Sequence, residues 1–170
     1  MSAAVSPIES DVLTALRSFI VGLIPSVEVV RGLGNRVPMP PAPFIAITTI
    51  LQKRLATNVD TYNAEQQQMS QADMQVDVQI DCYGPNSLSW ATILAILLRD
   101  PYGCDQLSPN CQPLYADEPR MMPLIDAEQQ YEERWMLQAS LQYNPVVTIT
   151  QQSATVANVE LIEIDEAYPA

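Results

Sequence analysis

Residues 73–100 carry the clearest pattern of polar and apolar positions in the chain. Met74, Val76, Val78, Ile80 and Cys82 alternate with Gln75, Asp77, Gln79, Asp81 and Tyr83. Strict period-2 alternation predicts a strand with one face buried and the other in water. Gly84-Pro85-Asn86 breaks it, since proline has no N–H for a ladder and glycine frees the turn. Asn86 or Ser87 can cap a following helix. From Leu88 to Leu98 that helix is apolar nearly all round, with Arg99-Asp100 at its end. A helix of this kind needs cover on more than one side. One side is expected on the sheet and the other in a subunit contact.

The rest of the chain is read the same way. Ser6-Pro7-Ile8-Glu9 predicts a helix start, with Ser6 as cap, Pro7 at the first position and Glu9 closing a capping box. Ile8, Val12, Leu16, Phe19 and Leu23 recur at helical spacing until Pro25. Val27–Arg31 reads as a short strand with a turn at Gly32–Asn35, and residues 37–43 as a stiff proline-rich connector. Phe44 to Leu51 is β-branched and apolar, as in a central strand. Residues 55–72 have no periodicity and are expected to form a long loop or hairpin arm, mobile alone and ordered against a neighbour. Residues 100–123 read as an irregular region holding five prolines. Gln129 to Asn144 alternates as one long strand, with Tyr131, Trp135, Leu137, Ala139, Leu141 and Tyr143 on its apolar side. Val146–Gln151 and Val156–Ile164 suggest a closing hairpin, and residues 163–170 an acidic tail. The expected fold is a single α+β domain over residues 1–170, a mostly antiparallel or mixed β-sheet flanked by two α-helices.

Charge narrows the partners. The chain carries a net charge of −12, and residues 1–54 hold five of the eight basic groups against three acids. A surface so poor in Lys and Arg repels phosphates, so no specific nucleic-acid binding is expected. No run is long enough to cross a membrane and no basic leader opens the chain, so a soluble protein is expected. Histidine is absent, which removes Ser–His and Cys–His nucleophile activation and most zinc sites. No glycine pattern fits a phosphate loop. Cys82, Cys104 and Cys111 are an odd number without C-x-x-C spacing, as suits a reducing compartment; a Cys104–Cys111 bridge is the only local pairing worth considering.

Catalysis finds weak footing. Asp77 and Asp81 lie four residues apart on one strand, hence ~13 Å, against ~5–9.5 Å for paired glycosidase carboxylates. Asp73, Asp77 and Asp81 are too spread to chelate one cation. Glu132 and Glu133 point to opposite faces, and Arg134 is read as the ion-pair partner of Glu132 or another acid. With Gln75, Gln79, Gln138 and Gln142 on the same kind of face, these acids read as solvated or interfacial. No catalytic residue, metal ligand or cofactor site is assigned. Trp90, Leu94, Leu97 and Leu98 on the helix, Val59 and Tyr62 in the 55–72 segment, and Arg134 are the candidates for a subunit interface.

Two short motifs carry a resemblance. Asp81-Cys82-Tyr83-Gly84 ends a strand before the apolar helix, and Tyr131-Glu132-Glu133-Arg134 opens a later strand. With the N-terminal helix and the proline-rich connector, they resemble the tail terminator (neck terminator) proteins of contractile-tailed bacteriophages over Ser6 to Thr148. The resemblance implies a structural virion protein. It would form a ring, usually hexameric, that caps the tail tube and sheath, ends tail polymerisation and joins tail to head. Implied partners are further copies of itself, tube and sheath proteins and head-completion proteins, with DNA passing through unbound and no membrane involved. It would be made in the host cytoplasm and reside in the virion, without catalysis or cofactor. An acidic lumen would suit a DNA conduit, with Asp77, Asp81, Glu132, Glu163, Asp165 and Glu166 as candidates. The alternatives are a head-completion (stopper) or tail-tube subunit and, from another class, a small hydrolase or adaptor domain.

Overall fold

The computed structural model describes residues 3–32, 39–63, 67–107, 111–122, 124–125 and 131–150. In chain order the elements are β1 (Ala3–Ser6), α1 (Glu9–Leu23), β2 (Glu28–Arg31), β3 (Phe44–Arg54), β4 (Val59–Tyr62), β5 (Gln68–Gln71) and β6 (Met74–Tyr83). Then follow α2 (Ser87–Leu97), α3 (Pro101–Gln106), β7 (Cys111–Ala116), β8 (Arg120–Met121), β9 (Leu124–Ile125), β10 (Tyr131–Glu132), β11 (Arg134–Tyr143) and β12 (Val146–Ile149). The architecture is α+β, with mixed and mostly antiparallel sheets.

The main sheet runs β2-β3-β6-β11-β7, with β8 also paired to β11. Only β2 and β3 are parallel. The alternating strand β6 lies between β3 and β11, antiparallel to both, so its ladder is complete on each side. Its apolar set, Val76, Val78, Ile80 and Cys82, is fully buried and meets Leu137, Ala139 and Leu141 of β11. Against that face pack α1, through Val12, Leu16 and Ile20, and α2, through Ala91, Leu94 and Leu98. Each buried aliphatic side chain contributes about 1.5–3 kcal/mol.

A second sheet, in the order β1-β12-β5-β4, lies beyond the Met74 end of β6. Every residue of β1 and β4 is exposed and every residue of β5 and β12 is half-buried. Neither face of this sheet is buried by the described residues. The hairpin is tied to the body because β5 pairs with β12 and Leu55 N–H donates to the Asp73 carbonyl at 2.8 Å.

Several expectations are corrected. Of the two forms expected for residues 55–72, a long loop or a hairpin arm, the structure has the hairpin, residues 59–62 pairing with 68–71, and backbone pairing with β12 supplies an order that side-chain periodicity does not announce. Within 100–123, Asp100 caps α3 by accepting from Tyr102 N–H at 2.9 Å, with Pro101 at the first helical turn. Cys111–Ala116 is an edge strand on β11, where Pro113 is tolerated beside a register shift. There are thus three described helices rather than two. Helix α1 is capped at Ile8, whose N–H donates to Asp11 Oδ2 at 2.8 Å, while Ser6 belongs to β1 and pairs with Val146. The long strand of residues 129–144 is interrupted at Glu133. Val146–Ile149 pairs with β1 and β5; the second strand expected at 156–164 and the acidic tail lie outside the described residues. Cys104 is exposed and Cys111 buried, and both thiols are free.

Candidate assembly surfaces

The two motifs that define the turn after β6 and the start of β11 meet in space. Arg134 stands opposite Tyr83 in the antiparallel register. Its guanidinium donates from Nε at 3.0 Å and from Nη2 at 2.9 Å to Oδ1 of Asp81. Gln79 Nε2 donates to the other oxygen, Oδ2, at 2.8 Å. Arg134 also lies 5.7 Å from the Tyr83 ring centroid, whose opposite contact is a stacked Phe44 at 4.4 Å. Gly84 N–H donates to the Glu133 carbonyl at 3.0 Å, and Gly84 has a φ of 99°, the left-handed region glycine favours. A Cβ there would also press on Pro43. Aspartate, tyrosine, glycine and arginine therefore brace one corner, where β6 turns into α2.

This corner corrects the reading of the polar strand face as wet. Asp81 and Asp77 are only 4% and 7% exposed. Asp77 Oδ1 accepts from Gln75 Nε2 at 2.6 Å and from Ser140 Oγ at 2.7 Å. The amides and hydroxyls of the same face supply the hydrogen bonds that buried carboxylates require. Asp77 and Asp81 therefore do not offer a charged wall to solvent, and Arg134 is engaged inside the subunit rather than free for a neighbour. Burial raises the pKa of the Tyr83 hydroxyl, with Arg134 pulling the other way and Asp81 and Glu132 adding to the rise. Glu132 is half-buried and remains available to solvent. Glu163, Asp165 and Glu166 lie outside the described residues.

Helix α2 shows which of its apolar residues are spare. Leu94 and Leu98, expected at a subunit contact, are fully buried on the sheet. Trp90 and Leu97 are half-buried against the same core. The residues left outside are Leu88, Ile93 and Ile96, at 44%, 39% and 62% exposure. Ile93 and Ile96, three residues apart, lie on the side away from the buried residues, while Leu88 lies at the flank near the start of the helix. A helix with hardly any polar position has no phase that periodicity can reveal, so the sequence could not separate the residues packed on the sheet from those left outside. Val59 and Tyr62 in the hairpin stand out at 58% and 67% exposure, as a contact surface needs.

No cluster of three or more metal-ligating side chains occurs among the described residues. Two surface hollows, of about 200 Å³ between α1 and α3 and about 170 Å³ beside Arg17 and Arg31, are below the usual range of ligand pockets. No described helix is long and apolar enough to cross a membrane. Among the described residues, large apolar side chains such as Val59, Tyr62 and Ile96 are prominently exposed.

Comparison with known proteins agrees. A search of curated proteins finds no match. A family model described as phage neck terminator protein matches residues 10–167, which includes both motifs and extends past the Thr148 limit of the resemblance seen in the sequence. The chain belongs to the phage neck terminator protein family, structural proteins of the phage neck.

Proposed function

We propose that this chain is the tail terminator of a contractile-tailed phage. Copies of it close into a ring, with six the expected number. The ring sits on the finished tube and sheath, stops their growth and offers the surface on which the filled head docks. Its place is then the virion neck, reached from the host cytoplasm where the subunits assemble. The observation that carries this reading is the exposed apolar side of α2, Ile93 and Ile96 with Leu88 at its flank, on a helix whose other side is already filled by the core. Exposed apolar residues in a contiguous patch mark interaction sites.

The conduit is proposed to be lined with acids, so that DNA phosphates are not held during passage. Glu132 and the tail acids Glu163, Asp165 and Glu166 are the candidates that remain, since Asp77 and Asp81 are consumed inside the subunit.

Mass measurement tests the ring. Purified protein, alone and bound to tail tubes, should run as one closed oligomer of fixed size. A strict monomer in both settings would overturn the proposal. Tails assembled without the protein should grow beyond their normal length; normal lengths would favour a stopper role, and the absence of tails a tube role. Lysine in place of the wall acids should leave the ring intact and slow genome ejection. Unchanged ejection would leave solubility as the better account of the net charge.

A further inference from the structure

Five of the seven described cations of this acidic chain are engaged. Arg31 pairs with Glu9, Arg99 with Glu118, Arg120 with Asp117 and Arg134 with Asp81, while Arg17 donates to the Val29 carbonyl. Lys53 and Arg54, adjacent at the exposed end of β3, are the described cations with neither an ion pair nor a hydrogen bond. Leu51 at 52% and Leu55 at 44% exposure lie within three residues of them along the chain, with Lys53 and Arg54 on opposite faces of the strand end. Unpaired cations bordered by large apolar side chains have the composition of an interface with an acidic partner.

A surface of opposite character exists elsewhere on the same subunit. The spare stripe of α2 continues onto α3, which packs against it, with Gly103 so close that a Cβ would run into the Leu97 carbonyl. There Ile96 and Tyr102 are 62% and 43% exposed, Asp105 follows Tyr102 on α3, and Glu118, with a side chain 78% exposed, is held to this side by its pair with Arg99 just past α2. One patch is apolar and basic, the other apolar and acidic, and they belong to different elements. Two different patches that fit one another make a head-to-tail contact, which closes into a ring when the rotation allows.

We infer that the end of β3 and the β4–β5 hairpin of one subunit dock on the α2–α3 face of a second copy, with Lys53 and Arg54 set against Asp105 and Glu118. The inference rests on the ring reading and names the two surfaces that would build it. The apolar side chains supply the burial, and the charges fix direction, so that basic end meets acidic face and like ends repel. The hairpin then has a reason to project without a buried face of its own.

Charge reversal in the full-length protein tests this, with fold and melting temperature checked first, since all four side chains are on the surface. Lys53→Glu with Arg54→Glu should weaken self-association by about tenfold or more at low salt. Asp105→Lys with Glu118→Lys should do the same. Mixing the two reversed proteins should restore assembly with the subunits alternating, because each reversed patch then meets its opposite sign on the other protein. The chain carrying all four reversals should assemble again, as the pairing is restored with its signs exchanged. Assembly of the Lys53→Glu, Arg54→Glu protein like wild type would overturn the inference while leaving the ring standing. Loss of assembly that the fourfold reversal does not restore would also overturn it, and would point to an acidic partner other than a second copy. A wild-type protein that is monomeric alone and on tubes would instead remove the ring reading itself.

Discussion

Arg134 and Asp81 form a partly buried ion pair in which two guanidinium nitrogens, at 3.0 and 2.9 Å, share one carboxylate oxygen. The pair links the start of β11 to the last turn of β6, with side chains only 19% and 6% exposed. Removing either partner leaves the other buried without its counter-charge, a loss of about 3–5 kcal/mol. Asp81→Asn and Arg134→Met should each destabilise by about that amount in urea unfolding. The double variant should cost less than the two together, with an interaction of about 1–3 kcal/mol. Strict additivity would show that the pair is not coupled and that some other contact holds the corner.

The two sides of α2 should respond oppositely to substitution. Leu94 is fully buried, so Leu94→Ala should destabilise the subunit by about 2–5 kcal/mol. Ile96 is 62% exposed, so Ile96→Ser should change subunit stability by no more than about 0.5 kcal/mol. The same substitution should reduce self-association, read by sedimentation. Unimpaired assembly of Ile96→Ser would remove the α2 stripe from the interface.

How much of this was visible in the chain differs from element to element. Strands β6 and β11 were legible because helices cover one face and impose alternation. What that alternation cannot say is what the polar side meets. Asp77, Gln79, Asp81 and Ser140 look solvated by pattern, yet Gln79 bonds Asp81 along β6 and Ser140 bonds Asp77 from the neighbouring strand. Strands β4 and β5 were hidden for the opposite reason, since with neither face buried nothing selects apolar residues at every second place. Asp100-Pro101, a cap followed by a first-turn proline, was a readable start for α3 within a stretch whose prolines suggested disorder of pattern. Burial of the motif residues was beyond reach, because the ion pair joins positions far apart in the chain and only the register brings Arg134 to Tyr83.

Two glycines in helices should behave differently. A Cβ on Gly103 would collide with the Leu97 carbonyl, so Gly103→Ala must push α3 away from α2 and should cost about 1–3 kcal/mol. Gly22, in α1, has nothing within 4 Å of the position a Cβ would take. Gly22→Ala should stabilise by about 0.5–1 kcal/mol, the ordinary gain in a helix. Thermal melts of the two variants moving in the same direction would contradict the close packing of α3 on α2.

Alkaline pH should destabilise the subunit through its buried thiols. Burial is the main cause that lifts Cys82 from 9.0 to about 12, with the Asp81 charge adding to it, and burial lifts Cys111 to about 11. Below pH 9 both thiols are protonated in the folded and unfolded chains, so their preference for the neutral form is fully satisfied. As pH rises past 9 the unfolded chain loses these protons while the folded one keeps them. Stability then falls by about 1.4 kcal/mol per pH unit for each thiol. The fall should end near pH 11 for Cys111 and near pH 12 for Cys82, where the folded thiols ionise as well. The raised hydroxyls of Tyr83 and Tyr143 act in the same direction above their ordinary range. Urea unfolding at pH 8 and pH 10.5 measures the slope. Cys82→Ala should lower stability at pH 8 by leaving a small cavity, yet lose less than the parent between the two pH values. An equal loss in the variant would mean that the Cys82 thiol is not what makes the fold sensitive to alkali.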